Sequence, residues 1–269
     1  YLSALICYIQ YMRNSKWQYL LASVVSSILA MGCKEQSVII VPCLLLFDWM
    51  LFKRNMRSLK VYIEKVYYLI PAIAIFIVTL VANKDTGEEI IGYTIVDRFI
   101  FLCYSVFKYL LISAIPFKLS YLYPFPFQVG EKIPMALWIY PFVILFIGYV
   151  IYLNRRKPLL VFCTLFFILH LLPVLHVIPL PRYVVAADRY LYIPYIAFAI
   201  GLSILSYHLY ERQRKWILYA GFLYCSYLCV YTASYAPAWK NSDTLKEHFK
   251  EVLKKRETNL SINYKNEKQ

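Results

Sequence analysis

The 269-residue chain is 61% hydrophobic and only 16% charged, whereas charged residues make up about 25% of a typical soluble domain. These proportions exclude an ordinary soluble globule and predict a membrane protein built of helices, because lipid cannot satisfy the open edge of a sheet. The net charge of +14 comes from short basic clusters between apolar runs, a pattern that sets membrane topology and argues against a nucleic-acid partner.

Apolar segments recur along the whole chain, most of them close to the roughly 17–25 residues that cross a bilayer. We therefore predict an all-α fold, a polytopic transmembrane helical bundle of about eight or nine segments. They cover residues 1–12, 17–32, 37–52, 66–82, 99–115, 134–153, 158–178, 191–210 and 216–234. Because the chain opens on Tyr1 inside an apolar run, we interpret residues 1–234 as an N-terminally truncated membrane domain and 235–269 as a separate tail.

Basic residues cluster in four loops, which predicts that these loops lie on the cytoplasmic side. The clusters are Arg13 and Lys16; Lys53, Arg54, Arg57, Lys60 and Lys65; Arg155, Arg156 and Lys157; and Arg212, Arg214 and Lys215. All four share one side only if segment 99–115, which contains Lys108, lies at the interface instead of crossing. A charge in mid-span costs about 2.5–3.5 kcal/mol, which favours the interfacial placement.

The metal-binding residue types follow no recognisable ligand pattern. The seven cysteines lie in or beside apolar segments without a CxxC pair, so we expect small buried side chains. His170 and His176 are six residues apart, a spacing that fits no zinc motif and predicts ordinary polar packing. No cofactor is firmly implied. A divalent metal stays open, because the acidic run of Asp85, Glu88, Glu89 and Asp97 could hold one or supply a base.

Lys34 and Glu35 follow the second apolar segment in the string MGCKEQ. They predict either a solvated hairpin loop or a functional pair, because ionisable residues close to lipid depth tend to be paired and functional. Asp48, at the end of the third segment, is expected to be a helix-end charge near the cytoplasmic side.

Asp188 and Arg189 stand next to each other in PLPRYVVAADRYLYIP, with Arg182 close by in the sequence. One interpretation is an interfacial salt bridge that fixes the start of the 191–210 helix. The other is a phosphate site, in which Arg182 and Arg189 donate bidentate hydrogen bonds while Asp188 orients a guanidinium or a substrate hydroxyl.

The tail contains one amphipathic pattern over residues 241–259. Asn241 or Ser242 can cap a helix there, and Thr244 with Glu247 has the spacing of a capping box. The apolar residues then fall on one face, which requires a partner surface.

Four strings resemble the GT-C superfamily of membrane glycosyltransferases, most closely the transmembrane and tetratricopeptide-repeat (TMTC-type) O-mannosyltransferases and their bacterial relatives. They are MGCKEQSVIIVPCLLLFDWML, PFKLSYLYPFP, VIPLPRYVVAADRYLYIPYIAF and YAPAWKNSDTLKEHFKEVLKKRETN, in this order. The first and third contain the pairs Lys34–Glu35 and Asp188–Arg189, and the last contains Trp239 and Leu245 at the entry to the repeats.

This resemblance implies transfer of a sugar, a hexose such as mannose, from a polyprenyl-phosphate carrier to a protein or glycan acceptor on the outer face. The implied substrate-binding residues are Lys34, Glu35, Arg182, Asp188 and Arg189, and the catalytic base is expected upstream of Tyr1. The resemblance also implies that the tail is the first helix of a tetratricopeptide repeat on the outer face. The bacterial character of the strings favours an inner membrane. A transporter or flippase of lipid-linked sugars and a non-catalytic membrane scaffold remain the alternative functions.

Overall fold

The computed structural model describes residues 1–82, 92–117, 119–176, 184–211, 216–247 and 249–250, with every side chain in these ranges except that of Glu35. This part of the chain is all-helical, as predicted, and its strand pairing is limited to one isolated bridge. Its long helices are α1 Leu2–Asn14, α2 Trp17–Cys33, α3 Ile40–Met50, α4 Leu59–Ala82, α5 Ile95–Ala114, α6 Ile139–Leu153, α7 Pro158–Leu171, α8 Pro194–Glu211 and α9 Trp216–Tyr235.

Three stretches of the described chain are long and apolar enough to cross a membrane: Leu59–Ala82, Met135–Leu153 and Trp216–Trp239. At 1.5 Å per residue, the first extends about 36 Å, which exceeds a hydrocarbon core of roughly 30 Å. Neither α6 nor α9 contains a buried residue, as expected for helices that lipid surrounds. The bundle of eight or nine crossing segments stays a prediction.

Helix α5 has 20 residues, but it is not one of these three stretches. It contains Asp97, Arg98 and Lys108, three charges within one helix. Thr94 and Asp97 form a reciprocal capping box at its N-terminus, so this carboxylate of the predicted acidic run has a structural role. The other three residues of the predicted acidic run, Asp85, Glu88 and Glu89, lie outside the described residues.

Contacts between Cα atoms divide the chain into two compact units, with one boundary inside α6. Unit 1 is Tyr1–Tyr93 with Ile147–Arg182, and unit 2 is Thr94–Phe146 with Tyr183–Gln269. In unit 1, α1 and α2 form a hairpin that α4 joins through hydroxyl groups. The Tyr68 hydroxyl donates to Ser23 Oγ at 2.8 Å, and Ser23 Oγ donates to the Ala4 carbonyl at 2.7 Å.

Three of the four basic loops lie at the same end of unit 1. The Tyr11 hydroxyl, near the end of α1, donates to Glu64 near the start of α4 at 3.2 Å. Phe47, near the end of α3, packs against Phe162 in the first half of α7 with 5.6 Å between ring centroids. The loops at 13–16, 53–58 and 154–157 are therefore neighbours, which agrees with the predicted grouping. The fourth loop, at 212–215, lies outside the described residues.

Candidate functional site

The candidate site lies in unit 2, where two of the strings that resemble glycosyltransferases pair through their backbones. The amide of Tyr123 donates to the Ala186 carbonyl at 2.9 Å, and the amide of Val185 donates to the Tyr123 carbonyl at 2.9 Å. This antiparallel bridge joins the proline-rich stretch after α5 to the segment before α8. Ser105 of α5 fixes the same segment, because its hydroxyl donates to the Val185 carbonyl at 3.1 Å.

Asp188 begins a short 3₁₀ helix, Asp188–Leu191, directly after this bridge. Its Oδ1 accepts a hydrogen bond of 2.8 Å from the Tyr123 hydroxyl, and that hydroxyl accepts one of 3.0 Å from the Ser120 amide. Lys108 of α5 places its Nζ 4.8 Å from the centroid of the Tyr123 ring. A carboxylate, a phenol and an ammonium group therefore share one half-buried location.

Burial determines the protonation behaviour of this group. It raises the pKa of Asp188 to about 6, and the hydrogen bond from Tyr123 and the charge of Lys108 only partly oppose this effect. Burial and the neighbouring carboxylate raise the pKa of Tyr123, so the phenol keeps its proton and remains a donor. At neutral pH the Asp188 carboxyl is mostly ionised. Because its pKa is about 6, a small fall in pH is enough to protonate it.

Arg189 is exposed and is held by aromatic rings, not by a carboxylate. Its Cζ lies 5.4 Å from the centroid of the Tyr121 ring and 5.2 Å from that of the Tyr190 ring. Its described hydrogen bond is a long one, 3.4 Å to the Tyr190 hydroxyl. The predicted pairing of Asp188 with the Arg189 guanidinium is wrong, because the carboxylate accepts from Tyr123 and the guanidinium lies beside the Tyr121 and Tyr190 rings.

The last of the four strings, which contains Trp239, reaches the same place through contacts with Tyr121. The Tyr121 ring makes edge contacts with Trp239, at 6.3 Å between centroids, and with Phe249, at 6.1 Å. Trp239 closes the short helix Ala236–Trp239 that follows α9. One aromatic side chain therefore links the Arg189 guanidinium to the start of the tail.

The tail helix begins as predicted at Asn241, whose Oδ1 accepts from the backbone amides of Asp243 and Thr244. The reciprocal bond runs from the Asn241 amide to Thr244 Oγ1 at 3.2 Å. The capping pair is thus Asn241 with Thr244, and the predicted pairing of Thr244 with Glu247 is wrong. Leu245, the other residue at the predicted repeat entry, is half-buried in this turn.

The other predicted site residues lie elsewhere or outside the described part. Lys34 belongs to unit 1 and follows α2, at the end of that helix away from the basic loop at 13–16. Glu35 begins the 3₁₀ helix Glu35–Ile39. Arg182 lies outside the described residues. The structure therefore brings Asp188 and Arg189 together with tyrosines that the sequence interpretation did not single out.

Unit 1 contains a second polar cluster, which sequence reasoning missed. Asp48 is completely buried and accepts from the Tyr8 hydroxyl at 2.6 Å and from Lys65 Nζ at 2.6 Å. Arg54 binds both Oε atoms of Glu64, at 2.6 and 3.1 Å, and approaches Asp48 at 3.3 Å. The positive charges of Arg54 and Lys65 balance the negative charges of Asp48 and Glu64. Because Tyr8, Asp48 and Lys65 come from α1, α3 and α4, the cluster is a structural clamp between these helices.

The two arginines of these clusters differ in the charge that surrounds them. Arg54 is neutralised by Glu64 and Asp48. Arg189 has no carboxylate among its described ion pairs, although its guanidinium is held in place by two rings. A guanidinium held beside aromatic rings keeps its charge and most of its N–H donors available, which is the arrangement that suits an anionic ligand.

His170 and three of the cysteines are buried and have packing roles. His170 is buried and bonds the Phe166 carbonyl and the Tyr1 hydroxyl, both at 2.8 Å, as the packing interpretation predicts. Burial of the cysteines is only partly confirmed: Cys43, Cys103 and Cys163 are buried, whereas Cys33, Cys225 and Cys229 are exposed. Within the described ranges, no three His, Cys, Asp or Glu side chains come close enough to hold a metal ion.

Comparison with known proteins adds no further assignment. No protein-family model, curated protein or solved structure matches this chain.

Proposed function

We propose that this chain contributes to a membrane glycosyltransferase of the GT-C type, which moves a hexose from a polyprenyl-phosphate carrier to an acceptor. The observation that supports this function best is the Arg189 guanidinium, which is exposed, lies within 5.4 Å of the ring centroids of two tyrosines and has no carboxylate partner in the described part. A lipid-linked sugar carries its phosphate at headgroup depth, where such a cation is needed.

In this proposal Arg189 binds the donor phosphate, and Tyr121 and Tyr190 hold its guanidinium in place. Asp188 and Tyr123 are positioning residues, because their hydrogen bond fixes the turn that carries Arg189. Lys34, Glu35 and Arg182 are further donor-binding residues by resemblance. Protein serine or threonine hydroxyls are among the proposed acceptors.

The proposed location is a bacterial inner membrane, with the tail on the outer face beside the site. The edge contacts of Tyr121 with Trp239 and Phe249 support the position of the tail beside the site, since they couple the arginine to the predicted repeat entry. An acceptor held by repeats on that face would reach the sugar without crossing the membrane.

The test replaces Arg189 by lysine in the genomic copy and measures hexose transfer from polyprenyl-phosphate hexose in isolated membranes. We expect transfer to fall about 100-fold, because lysine keeps the charge but loses the bidentate fork. Arg13→Lys is the matched control, since Arg13 is also exposed and lies in a basic loop of unit 1.

Normal transfer by the Arg189→Lys membranes at wild-type protein level would refute the proposed role. Membranes of the wild type that move the lipid-linked sugar between leaflets without transferring it would instead support the transporter alternative.

A further inference from the structure

An apolar groove of about 550 Å³ lies between α3 and α7 in unit 1. This volume is within the roughly 300–1,000 Å³ of known ligand sites. All of its lining side chains are apolar, and they include Leu45, Leu46, Trp49, Met56, Leu165 and Leu169. The groove is open along one side, and Trp49 is 53% exposed within it.

One end of the groove is next to a basic loop. Met56 belongs to both, since it lines the groove and stands between Lys53 and Arg57 in the chain. Lys53, Arg57 and Lys60 are all exposed. The loop at 154–157, which adds Arg156 and Lys157, lies at the same end of the unit. The lining is therefore entirely apolar, and the loop that contributes Met56 to it is basic and exposed.

The carboxylates at this end do not neutralise that loop. Asp48 and Glu64 are the acidic partners in the described ion pairs of unit 1, and both engage Arg54 and Lys65. The internal clamp thus balances its own charges, while the exposed lysines and arginines of the loop keep theirs. A ligand that fits both parts has an apolar chain and an anionic head.

We propose that this groove binds an anionic phospholipid, with one acyl chain along α3 and α7 and the phosphate at Lys53 and Arg57. Clusters of four to eight basic residues beside membrane helices bind anionic headgroups, and each contributes about fivefold in affinity. A protein helix would also fit an apolar groove, but an exposed basic loop at the end of membrane helices favours the lipid. The inference does not depend on sugar transfer.

The test uses the fluorescence of Trp49 in the full chain reconstituted in lipid nanodiscs. The other tryptophans, at positions 17, 138, 216 and 239, are replaced by phenylalanine. Brominated phosphatidylglycerol, added as a minor component to phosphatidylcholine, quenches a tryptophan only at contact. We expect it to quench Trp49 at least fivefold more effectively than brominated phosphatidylcholine, and we expect salt to reduce this preference.

Two controls make the result specific to the groove. A chain that keeps only Trp138, which is 45% exposed in unit 2, should show little preference between the two lipids. Lys53→Gln with Arg57→Gln should remove most of the preference at Trp49, because each of the two contacts contributes about fivefold. Arg13→Gln with Lys16→Gln removes the same amount of charge from the same end of unit 1 and should leave most of the lipid preference at Trp49 intact.

Equal quenching of Trp49 by the two brominated lipids would overturn the proposal. So would an unchanged preference in the Lys53 and Arg57 variant, or displacement of the brominated lipid by polyprenyl phosphate at equal concentration. If the single-tryptophan chain does not insert, native mass spectrometry of the unaltered chain replaces it. Retention of phosphatidylglycerol must then exceed that of phosphatidylcholine and fall in the Lys53 and Arg57 variant.

Discussion

The buried clamp of unit 1 supports a quantitative prediction about the stability of the membrane fold. Asp48→Asn keeps the size of the side chain and removes the charge that lies 2.6 Å from Lys65 Nζ. Glu64 cannot take over, because it is 3.9 Å from that nitrogen and already binds Arg54 through both oxygens. The lysine then remains buried with a poor partner, and we expect a loss of about 3–5 kcal/mol.

Removing both charges should restore most of this stability. In the Asp48→Leu, Lys65→Met variant no ion is left without its partner, and such replacements are often neutral. The Tyr8 hydroxyl, which donates to Asp48 and accepts from Lys65, would keep only a long contact of 3.5 Å from Arg54 and cost about 1–3 kcal/mol. Adding Tyr8→Phe removes that hydroxyl, so the triple variant should lie within about 1 kcal/mol of the wild type.

Unfolding by sodium dodecyl sulfate in mixed micelles, followed by tryptophan fluorescence and circular dichroism, measures these differences. The control is His208→Gln, which breaks an exposed pair with Glu211 at 3.8 Å and should cost less than about 0.5 kcal/mol. The reasoning fails if Asp48→Asn unfolds within 1 kcal/mol of the wild type, or if the triple variant is no more stable than the single one.

Other predictions concern the site of unit 2. Because burial raises the pKa of Asp188 from about 3.8 to about 6, its contribution to stability is present at low pH and lost as the pH rises through 6. Asp188→Asn should therefore match the wild type at about pH 3, below the unfolded pKa, and exceed it by up to about 3 kcal/mol above pH 7 in denaturation curves. Tyr123→Phe removes the donor to this carboxylate, and the same curves should show a loss of about 1–3 kcal/mol at pH 7. Tyr121→Ala should weaken donor binding by about three- to tenfold in a filter assay, because Arg189 loses one neighbouring ring, whereas Tyr121→Phe keeps the ring and the affinity.

Helix positions follow well from hydropathy, because long apolar runs leave the backbone few alternatives in lipid. One clear error is at α4, which begins at Leu59 and not at residue 66. The sequence places Glu64 and Lys65 in that interval, and unpaired charges would end a membrane helix. Their partners Asp48 and Arg54 come from another element, so pairing across helices extends α4 beyond its apolar run.

The candidate site was predictable in its location but not in its connections. Asp188 and Arg189 were identified from their unusual position before an apolar helix, and both lie at the junction of two loops. Adjacency in sequence suggested that they pair with each other. The real partners, Tyr121 and Tyr123, are more than 60 residues away in the chain. They lie in the string PFKLSYLYPFP, but its sequence does not show that these two side chains contact Asp188 and Arg189.

The claim that Arg189 binds a lipid-linked sugar phosphate is tested most directly by photocrosslinking. A polyprenyl-phosphate hexose with a photoreactive group near its phosphate is illuminated with the full chain in membranes, and the labelled peptides are sequenced. The proposal predicts labelling around Tyr121 and Arg189 that unlabelled donor suppresses and Arg189→Lys reduces at least tenfold. Labelling elsewhere, or labelling that is equal in the lysine variant, would contradict the proposed function.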